Sequence, residues 1–238
     1  MKYPTKKYIH PDGYTVTIST GNSKMGEISS VSLPRGITCP KDVPCGKVCY
    51  MSALSARPNV RNTYEENLKC YQEFPEWFWF AVEFHCKQEY FFRWNVCGDI
   101  PSEDYLEGMI SVAEHSENCK HLVFTKNYKD VNAVLDRIEL PENMTVVFSI
   151  WEGYPFNNRH NLPEAWVDFG KGLPEIVEWT GIRCRHNCTE CNMYGKSCWG
   201  LQRGEYVILP ASGSRKKEND EQEMQLKLFE KWRKEHGA

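Results

Sequence analysis

The sequence lacks a long hydrophobic run and an apolar leader. Its most apolar run, residues 77–84, is short and contains Glu83, whereas a membrane-spanning helix needs about 20 apolar residues. Residues 1–10 are polar and basic, without the apolar region of a secretory signal. The sequence therefore predicts a cytoplasmic protein without a membrane partner.

The sequence also lacks an excess of positive charge. Its 238 residues carry a formal net charge of −3, and the pI is near 6.2. This balance excludes the strongly basic surface of a general nucleic-acid-binding protein. A local basic rim that binds nucleic acid remains an alternative, because five cationic residues lie near the cysteine-rich segments: Arg57, Arg61, Arg183, Arg185 and Lys196.

Cysteine, by contrast, is abundant, with 11 residues in the chain. Disulfides are disfavoured in a reducing compartment, where clustered thiols more often indicate metal binding or catalysis. Seven of the thiols form two groups. Cys70, Cys86, Cys97 and Cys119 stand alone, and we expect Cys70, Cys86 and Cys119 to be small buried apolar side chains.

The later group, which we call the second cysteine loop, is C-x3-C-x2-C-x6-C over residues 184–198: Cys184, Cys188, Cys191 and Cys198. The residues between the thiols are almost all polar, so a metal held by four thiolates would explain how the segment keeps one shape. Zinc usually prefers two evenly spaced CxxC pairs. The uneven spacing here favours a [4Fe–4S] cluster, with zinc as the alternative, and His186 is expected to be solvated.

The earlier group, the first cysteine loop, is C-x5-C-x3-C: Cys39, Cys45 and Cys49. Three thiolates on a [4Fe–4S] cluster leave one iron open to a substrate or cofactor, which suits chemistry better than structure. Two alternatives are that Cys39 is free, or that His10 completes a zinc site. One or two clusters are therefore expected, because the two loops could also converge on one centre.

The middle of the chain alternates between strand and helix patterns. Strands are predicted over residues 90–96, 121–125 and 144–150, and Ser102 is expected to cap the first intervening helix. This alternation predicts an α/β fold, either a partial (β/α) barrel or an open parallel sheet with cysteine-rich metal-binding loops.

In such sheets, ligands bind at the carboxyl ends of the strands. Those ends present Cys97-Gly98-Asp99, Lys126-Asn127 and Trp151-Glu152. Asp99 and Lys126 are the candidate cofactor-binding residues. A turn carboxylate and a surface lysine are their respective alternatives.

The domain prediction divides the chain at residue 210. Residues 1–210 are expected to form a single α/β domain that contains both cysteine loops. Residues 211–238 are expected to form a polar linker and a charged C-terminal helix. Residues 152–180 read as irregular, with a short helix near 163–169.

Several motifs resemble a bacteriophage family that is named after its gene product 88. They lie between about residues 20 and 200: Gly21-Asn22-Ser23-Lys24, Leu33-Pro34-Arg35-Gly36, Thr38-Cys39-Pro40, Cys45, Cys49-Tyr50, Val60-Arg61-Asn62-Thr63-Tyr64, Phe92-Arg93-Trp94, Gly98-Asp99-Ile100, Phe124-Thr125-Lys126 and Cys198-Trp199. The function of this family is undefined. The resemblance implies a phage or prophage origin, and hence the cytoplasm of the host cell.

A more distant similarity is to the radical S-adenosylmethionine enzymes. These place three cluster cysteines in a loop after the first strand of a partial (β/α) barrel, and a small Gly-rich motif at the end of the next strand holds the cofactor's amino group. Here the first cysteine loop and Cys97-Gly98-Asp99 take those places. Two departures stand out, because the loop is more widely spaced than the usual C-x3-C-x2-C and Tyr50 follows the last cysteine instead of preceding it.

Two functions follow as hypotheses. The first is an iron–sulfur protein resembling a radical S-adenosylmethionine enzyme, with an open cluster on the first cysteine loop and an auxiliary cluster on the second. The alternative is a non-enzymatic protein, stapled by zinc or a cluster, that binds nucleic acid or a host protein.

Overall fold

A computed structural model describes residues 3–46, 49–151, 153–185, 187–193, 195 and 197–211. The predicted linker and C-terminal helix lie outside these residues, apart from Ala211. Glu152, His186 and Lys196 also lie outside them. Within the described part, no helix has the length and apolar character needed to cross a bilayer.

A single open sheet organises the described residues. Its strands are β1 (Thr5–Ile9), β2 (Thr15–Ser19), β3 (Ser29–Val31), β4 (Phe91–Trp94), β5 (Lys120–Thr125), β6 (Met144–Ser149), β7 (Glu164–Asp168), β8 (Ile182–Arg183) and β9 (Tyr206–Pro210). They lie in the order β1-β2-β3-β4-β5-β6-β7-β9-β8. The β1–β2 and β2–β3 pairs are antiparallel, and every later pair is parallel.

Helices lie in most of the connections from β3 onward. They are α1 (Ser52–Ser55), α2 (Pro58–Glu73), α3 (Pro75–Cys86), α4 (Glu103–Glu114), α5 (Tyr128–Leu135), α6 (Glu175–Thr180) and α7 (Cys188–Met193), with 3-10 turns at Pro44–Gly46 and Cys198–Gly200. Ser102 caps α4 as predicted, because its side chain accepts a hydrogen bond from Tyr105 N–H. The α/β fold is confirmed, and the sheet is open and mostly parallel rather than closed into a barrel.

The order of the parallel strands determines which face the helices cover. From β3 to β7 each strand lies beside the one that precedes it in the chain. Right-handed crossovers that all advance in one direction place their helices on the same face. The core there includes Phe92, Trp94, Val123 and Phe148, packed with residues of α2 to α5.

The opposite face has its own, smaller apolar cluster. Leu122 and Val147 alternate with the helix-facing residues along β5 and β6, as expected for a period of two. They pack with Trp199 and Leu201, and with Cys184, Cys188 and Cys198 of the second cysteine loop at the margin. The two cysteine loops therefore differ in position, since the second lies against this face.

One predicted element is wrong. The short helix expected near 163–169 is strand β7, which pairs with β6 on one side and with β9 on the other. Trp166 and Val167 have side chains that favour a strand. Strands β6 and β9 do not pair with each other, and β7 fills the position between them. The sequence of this segment alone does not indicate the position, because its partner strand β9 begins about 40 residues later.

Candidate metal-binding and cofactor-binding sites

The first cysteine loop follows β3 and leads into α2, at the edge where the parallel strands end. Thr38 joins this loop to the end of β4, because its hydroxyl accepts a hydrogen bond from Asp99 N–H at 3.2 Å. Gly98, with φ of 79°, allows this contact. A Cβ at Gly98 would lie 2.6 Å from Thr38 Oγ1 and 2.7 Å from Leu33 O, so only glycine lets the two segments approach this closely.

The three thiols of the first loop act on one another and are half-buried. Burial raises the pKa of Cys39 to about 11 and raises that of Cys45. Each of these two thiols also feels the charges of Cys49 and Asp99. The Gly36 N–H donates to Cys39 Sγ at 3.4 Å, a contact that stabilises a thiolate. A bound cation would supply the remaining charge compensation, because metal binding displaces the thiol protons.

Asp99 ties the ends of two strands together. Its Oδ1 accepts hydrogen bonds from Ile100 N–H and Thr125 Oγ1, and its Oδ2 accepts from Lys126 N–H at 2.9 Å. Burial raises the pKa of this carboxyl. A carboxylate has about four acceptor directions, so Oδ2 keeps one for a further donor. The turn role is therefore observed, and the cofactor-binding role stays a prediction.

Lys126 reaches across the same edge. Its ammonium donates to Ser149 Oγ at 2.8 Å, at the end of β6, and lies 5.9 Å from the centroid of the Trp151 ring. Its charge also lowers the pKa of Cys45, against the larger effect of burial. Lys126 thus lies close enough to the first cysteine loop to act on its charge. It lies at the carboxyl end of a strand, as the strand pattern predicted.

Cys97 joins this group, although the sequence assigned it no ligand role. Burial raises its pKa to about 11, and it feels the charges of Cys49 and Cys39. The backbone amides of Arg35 and Gly98 act in the opposite direction and lower its pKa. A fourth thiol therefore lies near the first loop.

The second cysteine loop is fastened to the sheet face by backbone contacts. Cys184 N–H donates to Ile208 O at 2.8 Å, and Cys188 N–H donates to Lys24 O at 3.2 Å. Thr189 Oγ1 donates to Met25 O, and the Trp199 indole donates to Phe92 O at 3.1 Å. These contacts hold the loop against β9, the β2–β3 connection and β4.

The four thiols of this loop lie near enough to act on one another's charge, although no three of their sulfurs fall within 4.8 Å of one another. The sulfur of Cys198 feels the charges of the other three, and its burial raises its pKa to about 12. Burial also raises the pKa of Cys188, while the Arg93 guanidinium lowers the pKa of both thiols. As at the first loop, a bound cation would offset the electrostatic repulsion between neighbouring thiolates.

Arg93 is the functional candidate that the sequence analysis missed. It lies on β4 between Phe92 and Trp94, and it faces the second cysteine loop. Its guanidinium carbon lies 4.1 Å from the centroid of the Phe124 ring. Its Nε is buried without a hydrogen-bond partner, and its charge interacts with Cys198, Cys188 and Asp99. The signal was a single cation within an apolar strand.

A third group of thiols lies beneath the helices. Cys86, Cys119 and His121 are buried, and their potential ligand atoms lie within 4.8 Å of one another. This spacing could hold a metal ion. The expected burial of Cys70, Cys86 and Cys119 is confirmed, but the last two do not stand alone, because the end of α3 meets the start of β5.

His10 lies away from the first cysteine loop, and two arginines of the predicted basic rim lie next to carboxylates. His10 packs against Phe74 at the end of α2, about 24 Å along a 16-residue helix from its start near the first loop. Arg183 pairs with Asp168 and Glu178. Arg61 lies 3.9 Å from Glu65, while Arg57 and Arg185 are exposed.

Fold and sites define an α/β protein with an open, mostly parallel sheet and cysteine-rich loops. The sequence profile of the gene product 88 family matches residues 8–166. Because this segment covers more than half of the chain, the protein belongs to the phage gene product 88 family. The match includes the first cysteine loop and ends before the second. No curated protein and no solved structure matches the chain.

Proposed function

We propose that this protein binds a [4Fe–4S] cluster on Cys39, Cys45 and Cys49, and that the cluster keeps one iron open as in radical S-adenosylmethionine enzymes. The observation that carries the proposal is the position of the loop. It follows β3, the first of the sequential parallel strands, and the charges of Asp99 and Lys126, at the ends of β4 and β5, act on its thiols.

The donors around the thiols support a cluster. The Gly36 N–H donates to Cys39 Sγ, and the Lys126 ammonium lowers the energy of a thiolate at Cys45. Hydrogen bonds to sulfur and nearby charge are the main means by which proteins stabilise iron–sulfur clusters. A cluster held there supplies one-electron chemistry and an open coordination position.

The edge also offers contacts for S-adenosylmethionine, which carries an amino and a carboxylate group. The free acceptor direction of Asp99 Oδ2 suits the amino group, and the Lys126 ammonium suits the carboxylate. Cys97-Gly98-Asp99 occupies the place of the Gly-rich motif of those enzymes, at the end of the second parallel strand. The second cysteine loop would hold an auxiliary cluster with four thiolates: Cys184, Cys188, Cys191 and Cys198.

Anaerobic purification followed by iron and sulfide analysis tests this proposal. We expect two [4Fe–4S] clusters per chain, and one in a variant with Ala at Cys39, Cys45 and Cys49. A colourless protein that contains only zinc would overturn the proposal. Zinc would instead favour the alternative, a protein that binds nucleic acid or a host protein, and salt-dependent binding of DNA or RNA would test that alternative.

A further inference from the structure

The buried group at Cys86, Cys119 and His121 lies apart from both cysteine loops. Cys86 ends α3 and Cys119 precedes β5, with 0% and 1% of their surfaces exposed. A surface cavity of about 340 Å³ reaches both cysteines, and its lining includes Lys87, Glu114 and Glu117. The lining is therefore largely polar, and it includes both cysteines.

The hydrogen bonds of His121 favour a thiol pair over a metal site. The Trp94 indole, which can only donate, donates to His121 Nδ1 at 3.1 Å. This contact places the imidazole proton on Nε2, which donates to Ser116 Oγ at 2.9 Å. Ligation through Nδ1 would remove the acceptor of the Trp94 N–H. Ligation through Nε2 would put a proton on Nδ1, facing that N–H. Either arrangement leaves a buried donor without a partner.

The two sulfurs have no such conflict. They lie within 4.8 Å of each other, and the neighbouring Cys86 thiol lowers the pKa of Cys119, which favours a thiolate there. A disulfide brings the sulfurs to about 2.05 Å. We propose that Cys86 and Cys119 are a redox-active dithiol that a small peroxide oxidises to a disulfide through the cavity.

The reaction balances in two steps. The Cys119 thiolate attacks one peroxide oxygen, the O–O bond breaks, and the released hydroxide takes a proton to form water. Cys119 is then a sulfenic acid. The Cys86 sulfur attacks the Cys119 sulfur, the S–O bond breaks, and a second water leaves with the Cys86 proton. Two thiols and one peroxide thus give one disulfide and two waters.

The test uses hydrogen peroxide on the full chain, followed by denaturing alkylation and digestion with glutamyl endopeptidase. Cleavage after glutamate places Cys86 in residues 84–89, Cys119 in residues 118–139 and Cys70 in residues 67–73. We expect both free thiols to disappear and a linked pair of peptides, lighter by two hydrogen atoms, to replace them. Cys70 is the matched control, because it is buried and unpaired, and it should remain free.

Two further measurements distinguish a dithiol from inert thiols and from a metal site. In a Cys86→Ala variant, Cys119 should stop at the sulfenic acid, which dimedone traps. If Cys86 and Cys119 in the unchanged chain stay as free as Cys70, the dithiol is excluded. Zinc that survives buffer exchange and protects both thiols from alkylation, with the protection lost in Cys86→Ala, would show a metal site instead. Neither result depends on the state of the two cysteine loops.

Discussion

The two cysteine loops have the same ligand chemistry and different surroundings. The first lies at the carboxyl edge of the sheet, where the charged groups of Asp99 and Lys126 come from neighbouring strands. The second lies against the sheet face, packed by Trp199 and fastened by backbone hydrogen bonds. This difference is the basis of the proposal that a metal at the edge would perform chemistry, whereas a metal at the face would hold the fold.

Arg93 lies between the two environments. Its buried charge acts on Cys188 and Cys198 of the second loop and on Asp99 beside the first. A cation in this position compensates negative charge at the second loop and at Asp99, although burial lowers its own pKa. The two sites should therefore respond to each other's charge, although their ligands are separate.

The largest effect is expected from Cys188→Ser in the second loop. Loss of a structural metal is among the few single changes that destabilise by more than about 4 kcal/mol. We expect a large fall in the denaturation midpoint, measured by circular dichroism under anaerobic conditions. The control is Cys70→Ser, which removes a buried thiol outside the loops. If both variants lose similar stability, the second loop is not held by metal.

Cys45→Ser in the first loop should separate chemistry from stability. The chain should lose about half of its iron, since one of two four-iron clusters disappears. The denaturation midpoint should fall much less than in Cys188→Ser, because the loop lies at the sheet edge. Iron analysis and thermal unfolding of the same preparation measure both. Unfolding as severe as that of Cys188→Ser would remove the distinction between the two loops.

Arg93→Met should change the electron affinity of the second cluster. Removing a buried positive charge disfavours the reduced, more negative state, so the reduction potential should fall. A fall on the order of 60 mV corresponds to a tenfold change in a one-electron equilibrium. Redox titration followed by paramagnetic resonance measures it. Arg93→Lys should retain most of the potential, and Arg61→Met should leave it unchanged, because Arg61 is exposed.

Cys97→Ser should have the smallest effect. Cys97 lies outside the C-x5-C-x3-C loop and is almost fully buried, so we expect unchanged iron content. This prediction tests whether the first site has three thiolate ligands or four. Loss of four irons in Cys97→Ser would mean that the cluster is closed, and a closed cluster would have no open iron for a cofactor.

Much of the fold was predictable because its signals are local. Alternating strand and helix patterns from residue 90 to residue 150 indicate a parallel sheet, and Ser102 marks the start of a helix. Strand β7 was missed, since its identity depends on pairing with β6 and β9 rather than on its own sequence. Tertiary pairing thus decided a segment that was ambiguous in isolation.

The positions of the candidate residues were predictable where those residues cluster in the sequence. The strand pattern placed Asp99 and Lys126 at one edge, because parallel strands bring their carboxyl ends together, and the cofactor-binding role of both residues stays a prediction. The meeting of Cys86 with Cys119 was not predictable, because 33 residues separate them and only the packing of α3 against β5 joins them. The sequence showed the charge of Arg93, but only the sheet shows which face it occupies.

The most direct test is the paramagnetic resonance spectrum of the reduced protein, with Ala at Cys184, Cys188, Cys191 and Cys198, before and after addition of S-adenosylmethionine. If this variant does not fold, the unchanged protein gives the same comparison, with the signal of the first cluster identified by its loss in Cys45→Ser. An open iron on the first loop predicts that the cofactor changes the signal of that cluster. An iron-containing protein whose signal is identical with and without the cofactor would contradict the account.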